Sequence, residues 1–367
     1  MDKVLIVQLI LPHYRKSFFD LLVRNQTLDV YITAGSSNAI KVFAPDQEKI
    51  KDNLVNKWFK IFGHTFYFQF GLFRSIFTLK PSHIVFGGPD LHVLSSILAF
   101  VYFRFFSKIQ VHWWTQGLKR NEGGLKKYLI ALSNSVLIYE DEGKSIIQNA
   151  IANFSKPITV LKNSISDQDY GFHESIPSGN FDSPIFMLLF SGRLTQPKRC
   201  DLVIKAVSLL TQKGIPCILN VVGDGETLAE NKRLASRLGV EDKVHFHGAL
   251  YDKDVIPIFK KSEIFALPGK VGLSIVHALS YGLPVITTNE DIHSPEVAIL
   301  QSGVNGSFFE GMSAEALSEE LSIWYVRLKN SNQYSKKEIQ ATVKSAGYTP
   351  EQMADNFLNH FTIKLNA

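Results

Sequence analysis

The chain has 367 residues, of which 45% are hydrophobic and 20% charged, and carries a net charge of +5. That is the profile of a globular protein long enough for two domains, and it excludes a disordered or fibrous chain. The two cysteines, Cys200 and Cys217, form no disulfide framework, show no metal-ligand spacing and fit a reducing compartment.

The opening MDKVLIVQLILPHY reads as a buried strand rather than a signal peptide. Further strand-like runs fall at LDVYITAG, HTFYFQF, HIVFGG, KIQVHWW, NSVLIYE and ITVLKNS. Helix-like stretches such as RKSFFDLLVRN and LHVLSSILAFVYFRFF lie between them, and this alternation predicts parallel βαβ units. Residues 166–184 then lose all periodicity and collect Ser, Gly, Pro and Asp, the composition of a linker. The pattern restarts with the strand PIFMLLFSGRL and the helix CDLVIKAVSLLTQK. PCILNVVGDG, KVHFHG and EIFALP continue as strands, separated by the helices ETLAENKRLASRLG and KDVIPIFKKS. PGKVGLSIVHALSYGLPVITT supplies a helix and a strand, SAEALSEELSIWYVRL a helix, and TPEQMADNFLNHFTIK an amphipathic helix at the end.

The expected fold is α/β: two doubly wound Rossmann-like domains facing across a cleft, over residues 1–165 and 185–345. The terminal helix of 346–367 packs back on the first domain in this scheme. No stretch reaches about 18 uncharged apolar residues, so a spanning helix is not expected. Residues 1–175 hold 20 Lys and Arg against 14 Asp and Glu, while the rest hold 19 against 20. The basic half therefore suits an anionic partner, or is simply a soluble basic surface.

Open α/β sheets bind ligands at the carboxyl ends of their strands, so chemistry is sought there. LPHYRKSFF follows the first strand with no G-x-G-x-x-G, which counts against a nicotinamide or flavin enzyme. Tyr14 and Arg15 stand there to meet a phosphate or sugar, or make a plain turn. VVGDGE brings Gly223 and Gly225 to a strand end, either for close backbone approach to a ligand or for a tight βα turn. In SGRLTQPKR, Arg193 and Lys198 can converge on one diphosphate, the first as a planar fork and the second as a point charge, with Arg199 peripheral. The loop PGKV and Gly272 precede an apolar helix whose free N–H groups, with Lys270, make an anion site. No cluster of His, Asp or Glu has ligand spacing, so neither a metal nor another cofactor is expected.

These residues, in this order, resemble the second half of retaining glycosyltransferases of the GT-B fold, family 4. The matching pieces are SGRLTQPKRCDLVIKA, LNVVGDGE, KVHFHG, SEIFALPGKVGLSIVHALSYGLPVITT and NGSFFE, over roughly residues 185–325. LPHYRKSFFDLL and VHWWTQGLKRN are similar to the acceptor-side domain of bacterial surface-polysaccharide members. The resemblance implies transfer of a sugar from a nucleotide-diphosphate sugar, with retention at the anomeric carbon. Arg193 and Lys198 match its diphosphate-binding pair. Two glutamates eight residues apart are frequent around its donor-site helix, and here those positions are Gly269 and His277. In their place, the backbone N–H groups of Lys270, Val271, Gly272 and Leu273 are expected to meet the donor, and His277 a ribose hydroxyl. A core histidine is the competing reading for His277.

His112 and Gln116 are acceptor-side candidates. Trp113 and Trp114 either stack on a sugar or fill the core. The implied acceptor is a lipid-linked glycan at the cytoplasmic face of a membrane, in lipopolysaccharide, capsule or exopolysaccharide synthesis. LSSILAFVYFRFFSK, with Arg104 and Lys108, either lies on an anionic bilayer or is a buried helix. A sugar-nucleotide epimerase and a binding protein that has lost catalysis are the alternatives. Nucleic acid is not expected, because no motif accompanies the modest charge excess.

Overall fold

A computed structural model describes residues 2–36, 47–118, 124–165, 184–290, 292–330 and 334–364. The chain divides into one unit of Met1–Ser166 with Thr349–Ala367, and a second of Asp167–Tyr348. Apart from Pro184, the expected linker of 166–184 lies outside the described residues.

The first unit runs β1 (Lys3–Gln8), α1 (Lys16–Arg24), β2 (Asp29–Gly35), β3 (Ile50–Ile61), β4 (His64–Phe70), α2 (Leu72–Leu79) and β5 (His83–Gly87). It continues with α3 (Leu94–Phe106), β6 (Gln110–Trp114), α4 (Leu125–Leu132), β7 (Ser135–Ile138), α5 (Asp141–Ala150) and β8 (Ile158–Val160). The eight-stranded sheet has the order β4-β3-β2-β1-β5-β6-β7-β8. Burial of β1 on both faces explains its unbroken apolar run. Val4 and Ile6 join the core under α1, while Leu5 and Val7 join the core under α2 and α3. The strand order reverses between β1 and β5, and a crevice opens at such a reversal.

Between β3 and β4 the alternation of strands and helices fails. β4 pairs antiparallel with β3, from Val55↔Phe70 to Ile61↔His64, instead of closing a parallel crossover. Phe62 (φ 48°) and Gly63 (φ 79°) form the two-residue connection, and positive φ at both positions matches the right-handed twist of a hairpin.

The second unit runs β9 (Phe186–Ser191), α6 (Cys200–Gln212), β10 (Cys217–Val222), α7 (Leu228–Arg237), β11 (Val244–Gly248) and α8 (Ile256–Lys261). Next come β12 (Ile264–Ala266), α9 (Ser274–Ser280), β13 (Val285–Thr288), β14 (Gly306–Phe309), α10 (Ala314–Asn330) and α11 (Lys336–Ser345). Its six strands are all parallel, in the order β11-β10-β9-β12-β13-β14. The reversal falls between β9 and β12, so Arg193 and Lys270 follow the two strands that flank it.

The last helix, α12 (Pro350–Asn359), belongs to the first unit. Thr349 caps it by accepting from the Gln352 N–H, and Pro350 occupies its first turn. Met353, Phe357 and Phe361 bury themselves beside Phe18 of α1. Burial of each stabilises the docking by about 1.5–3 kcal/mol.

Candidate active site

At the reversal in the second unit, the loop after β9 and the loop after β12 are fastened together. The Lys270 N–H donates to the Pro197 carbonyl at 2.8 Å, and the Lys198 ammonium donates to the Lys270 carbonyl at 2.5 Å. A Cβ on Gly269 would stand 2.0 Å from the Pro197 oxygen and 2.6 Å from the Lys198 carbonyl carbon. Position 269 is glycine because backbone fills the space a side chain needs.

The loops gather three cations. Burial first, then the charges of Arg193 and Lys270, pull the Lys198 ammonium down to about 8, and the buried Glu296 opposes that shift. Mutually repelling cations at a strand-end crevice favour an anion between them. Arg199 is turned away: its guanidinium forks onto Asp201 at 2.9 and 3.0 Å, at the first turn of α6.

Two expectations for the donor loops need correction. Gly223 and Gly225 do not offer their N–H groups to a ligand, since Gly223 donates to the Gly248 carbonyl at 2.7 Å and Gly225 to the Asp224 carboxylate at 2.7 Å. Their lack of a side chain serves packing instead. A Cβ would lie 1.9 Å from the Gly192 oxygen at one position and 2.3 Å from the Leu194 oxygen at the other.

The second correction concerns residues 270–273. The N–H of Lys270 is taken by Pro197, and that of Val271 by Nδ1 of His293 at 3.1 Å. The N–H groups of Gly272 and Leu273 donate to no backbone acceptor among the described residues. The helix itself starts at Ser274, two residues later than Gly272, and has seven residues. The Ser274 hydroxyl in its first turn is buried without a hydrogen-bond partner.

His277 lies half-buried in a stack, with its ring 4.1 Å from Phe259 and 5.5 Å from Tyr281. That is the packing of a core histidine, left partly accessible.

In the first unit a cavity of about 590 Å³ opens at the β1/β5 reversal. Arg15 and Gln116 line it, as do Gln8, Trp114 and Tyr139. Tyr14 does not line it; the Tyr14 ring lies beside the Arg15 guanidinium, 5.6 Å from its centre. His112 also stays outside. It is 0% exposed, in the middle of β6, with one ring nitrogen 3.1 Å from His83 and the other 2.6 Å from the Ser135 hydroxyl. Burial and the neighbouring His360 and His83 hold it well below the usual histidine range.

Trp113 and Trp114 are both core residues, on opposite faces of the sheet, although Trp114 presents an edge to the cavity. Glu296, Gln8, His92 and Tyr139 were missed by sequence reasoning. The last three lie at or just after strand ends, which was the available signal.

The architecture is that of the GT-B glycosyltransferases. Over 100% of this chain and 99% of the other, it matches the pneumococcal O-GlcNAc transferase GtfA in complex with UDP and GlcNAc, with a TM-score of 0.68 at 9% identity. Residues 172–351, nearly the whole second unit, match the family model of glycosyl transferases group 1. The chain thus has the GT-B fold, and its second unit is similar to glycosyl transferases group 1.

Among curated relatives, the O-antigen biosynthesis glycosyltransferase WbnH of Escherichia coli is 28% identical over 236 residues, 64% of this chain and 61% of that one. The mannosylfructose-phosphate synthase of Agrobacterium fabrum is 28% identical over 142 residues, 36% of this chain and 31% of that one. The chain thus spans less than two thirds of the length of these relatives.

Proposed function

We propose that the chain transfers a sugar from a nucleotide-diphosphate sugar to a glycan acceptor, with retention at the anomeric carbon, as a family 4 enzyme. The observation that carries this reading is the Arg193–Lys198–Lys270 cluster at the β9/β12 reversal. As the glycosidic bond breaks, negative charge grows on the leaving diphosphate, and these cations stabilise it as it develops. Side-chain charge meets the diphosphate, so no metal or other cofactor takes part. Attack comes from the same face, and the leaving phosphate accepts the acceptor's proton. His277 stands beside a ribose hydroxyl in this scheme.

The acceptor occupies the cavity of the first unit, and the relation to an O-antigen enzyme favours a lipid-linked surface glycan. No helix of the described residues is long and apolar enough to cross a membrane. α3 nevertheless is apolar on both faces. Ala99, Phe100 and Phe103 are buried, while Leu98, Tyr102, Phe105 and Phe106 are exposed beside Arg104. Such a surface suits peripheral attachment to an anionic bilayer, at its cytoplasmic face.

The test is a thermal-shift and turnover panel of nucleotide sugars, starting with UDP-sugars, on the wild type and Arg193→Ala. Stabilisation by one diphosphate that is lost in Arg193→Ala supports the donor site. The packing at positions 269 and 277 favours a second reading, a binding protein without catalysis. Nucleotide binding with no sugar transfer to any acceptor would select it.

A further inference from the structure

The floor of the first unit's cavity is made of donors. Gln8, at the end of β1, is 8% exposed; its Oε1 accepts from Arg15 at 3.4 Å, and its Nε2 is buried with no hydrogen-bond partner. Trp114, at the end of β6, is 2% exposed, and its indole Nε1 is likewise buried without a partner. Arg15 itself is 8% exposed, with its guanidinium 4.4 Å from the Trp114 ring and one Nη donating to the Tyr139 hydroxyl at 2.5 Å. The aromatic face and the hydroxyl hold the guanidinium in one orientation at the cavity wall.

An indole N–H and a guanidinium can only donate, and the amide nitrogen of Gln8 adds two more donor hydrogens. Buried donors left unmade are costly, and native proteins rarely keep two at one cavity without a use. A sugar hydroxyl also brings a donor hydrogen, for which these three residues offer no acceptor, so it must turn to Asp90 or Thr115 elsewhere in the lining. A carboxylate or phosphate brings acceptors only, with a charge that matches Arg15.

We infer that this cavity is an oxyanion pocket, in which Arg15, Gln8 and Trp114 hold a carboxylate or phosphate group of the ligand. Calling that ligand the acceptor rests on the proposed function; the preference for an oxyanion does not. The acceptor is then an acidic sugar or a sugar phosphate rather than a neutral glycan. At the rim the half-buried Lys126 adds positive charge to the approach, while the exposed His92 is engaged by the Asp90 carboxylate at 2.9 Å.

The test is calorimetric or ligand-observed NMR binding of D-glucuronate, D-glucose 1-phosphate and D-glucose to the full chain. At least one anionic probe is expected to bind about tenfold or more tighter than glucose, the ratio that a charge-assisted hydrogen bond supplies. Which of the two binds separates a carboxylate source from a phosphate source. Trp114→Phe keeps the ring under Arg15 and removes one donor, and should weaken the preferred probe about three- to tenfold. Gln8→Glu places a carboxylate against Arg15 and should abolish binding of the anion while raising thermal stability.

Equal binding of all three probes, no detectable binding, or an unaltered affinity in Trp114→Phe overturns the inference. UDP binding, measured in parallel, reports on the second unit. Loss of a cooperative thermal unfolding transition in both variants signals misfolding, and Arg15→Lys, which keeps the charge but not the fork, then serves as the replacement and should weaken the anion about tenfold. If glucuronate or glucose 1-phosphate binds but no nucleotide does, the proposed function fails and the oxyanion pocket stands.

Discussion

The Lys198 ammonium donates to the backbone carbonyl of Lys270 at 2.5 Å, so each of two neighbouring lysines fixes the loop that carries the other. That contact holds one cation beside two more in a partly buried place, and the resulting pKa of about 8 makes the site sensitive to mild base. Without ligand, Lys198 is an ammonium below about pH 8 and loses charge above it.

Diphosphate affinity is therefore expected to fall as pH rises through 8 and 9, and to stay flat over that range in Lys198→Arg. Lys198→Ala should lose about 10- to 100-fold at pH 7. Titration calorimetry with UDP at several pH values checks both; a wild-type profile as flat as that of the arginine variant refutes the charge assignment. The effect on folding has the opposite sense. A lowered lysine pKa costs stability fully below pH 8, and the cost is relieved as pH rises toward 10.5.

Gly269 marks the strongest departure from the family pattern, and packing explains it. Restoring a side chain there cannot restore a glutamate function, because the backbone of Pro197 and Lys198 occupies the volume. Gly269→Ala should cost about 1–3 kcal/mol through overpacking and weaken UDP binding by shifting Lys198. Gly269→Glu should be worse. Thermal unfolding with and without UDP measures both, and a gain of binding in the glutamate variant would contradict the packing account.

Much of this was legible in the sequence, for definite reasons. Alternating apolar strands and amphipathic helices gave both sheets, and Arg193 and Lys198 stood out because they follow a strand. β3 escaped because Ile50 and Leu54 are its only buried residues, which leaves almost no period-2 signal. α11 escaped although its start carries a capping box: Ser335 accepts from the Glu338 N–H, and the Glu338 carboxylate accepts from the Ser335 N–H. The N–H groups of Gly223, Lys270 and Val271 are taken by Gly248, Pro197 and His293, which lie elsewhere in the chain where no local pattern reveals them. His112 was an acceptor-side candidate with Gln116, but it lies inside the sheet on β6, while Gln116 stands beyond the end of that strand, at the cavity.

Where His112 does act is in fastening the chain's end. A hydrogen-bonded chain runs from His83 through His112 and the Ser135 hydroxyl to His360, whose other ring nitrogen is 2.8 Å from the Thr159 hydroxyl. Burial holds His83 and His112 below their ordinary pKa, so the folded state keeps them neutral. Stability from this cluster is fully present above the unfolded pKa of about 6.5 and is lost as pH falls below it, because the unfolded chain takes up the protons first.

Hydrogen exchange of residues 349–362 should thus accelerate at pH 5 relative to pH 7.5. His360→Ala should cost about 1–3 kcal/mol by removing one hydrogen-bond partner from each of the Ser135 and Thr159 hydroxyls and leaving a buried void. Equal protection at both pH values would show that the cluster does not control docking of α12.

The exposed aromatic residues of the first unit lead to the last expectation. Phe62 at the hairpin tip is 97% exposed, Trp58 on β3 is 66% exposed, and Phe106 at the end of α3 is 75% exposed. Lys57 and Lys60 flank the first two, and Arg104 precedes the third. Aromatic side chains mixed with cations gain from both the apolar boundary and the negative surface of a bilayer. The whole chain should bind vesicles containing anionic lipid more tightly than neutral ones, and the difference should shrink as salt rises.

Phe62→Ser with Phe106→Ser should weaken binding to both vesicle types by removing the apolar part. Lys57→Gln with Lys60→Gln should erase mainly the anionic preference, at about 1 kcal/mol per charge. Co-sedimentation at low and high salt separates the two contributions. If wild type binds neutral and anionic vesicles alike at low salt, or binds neither, attachment through this surface is ruled out, while the donor site and the oxyanion pocket are untouched.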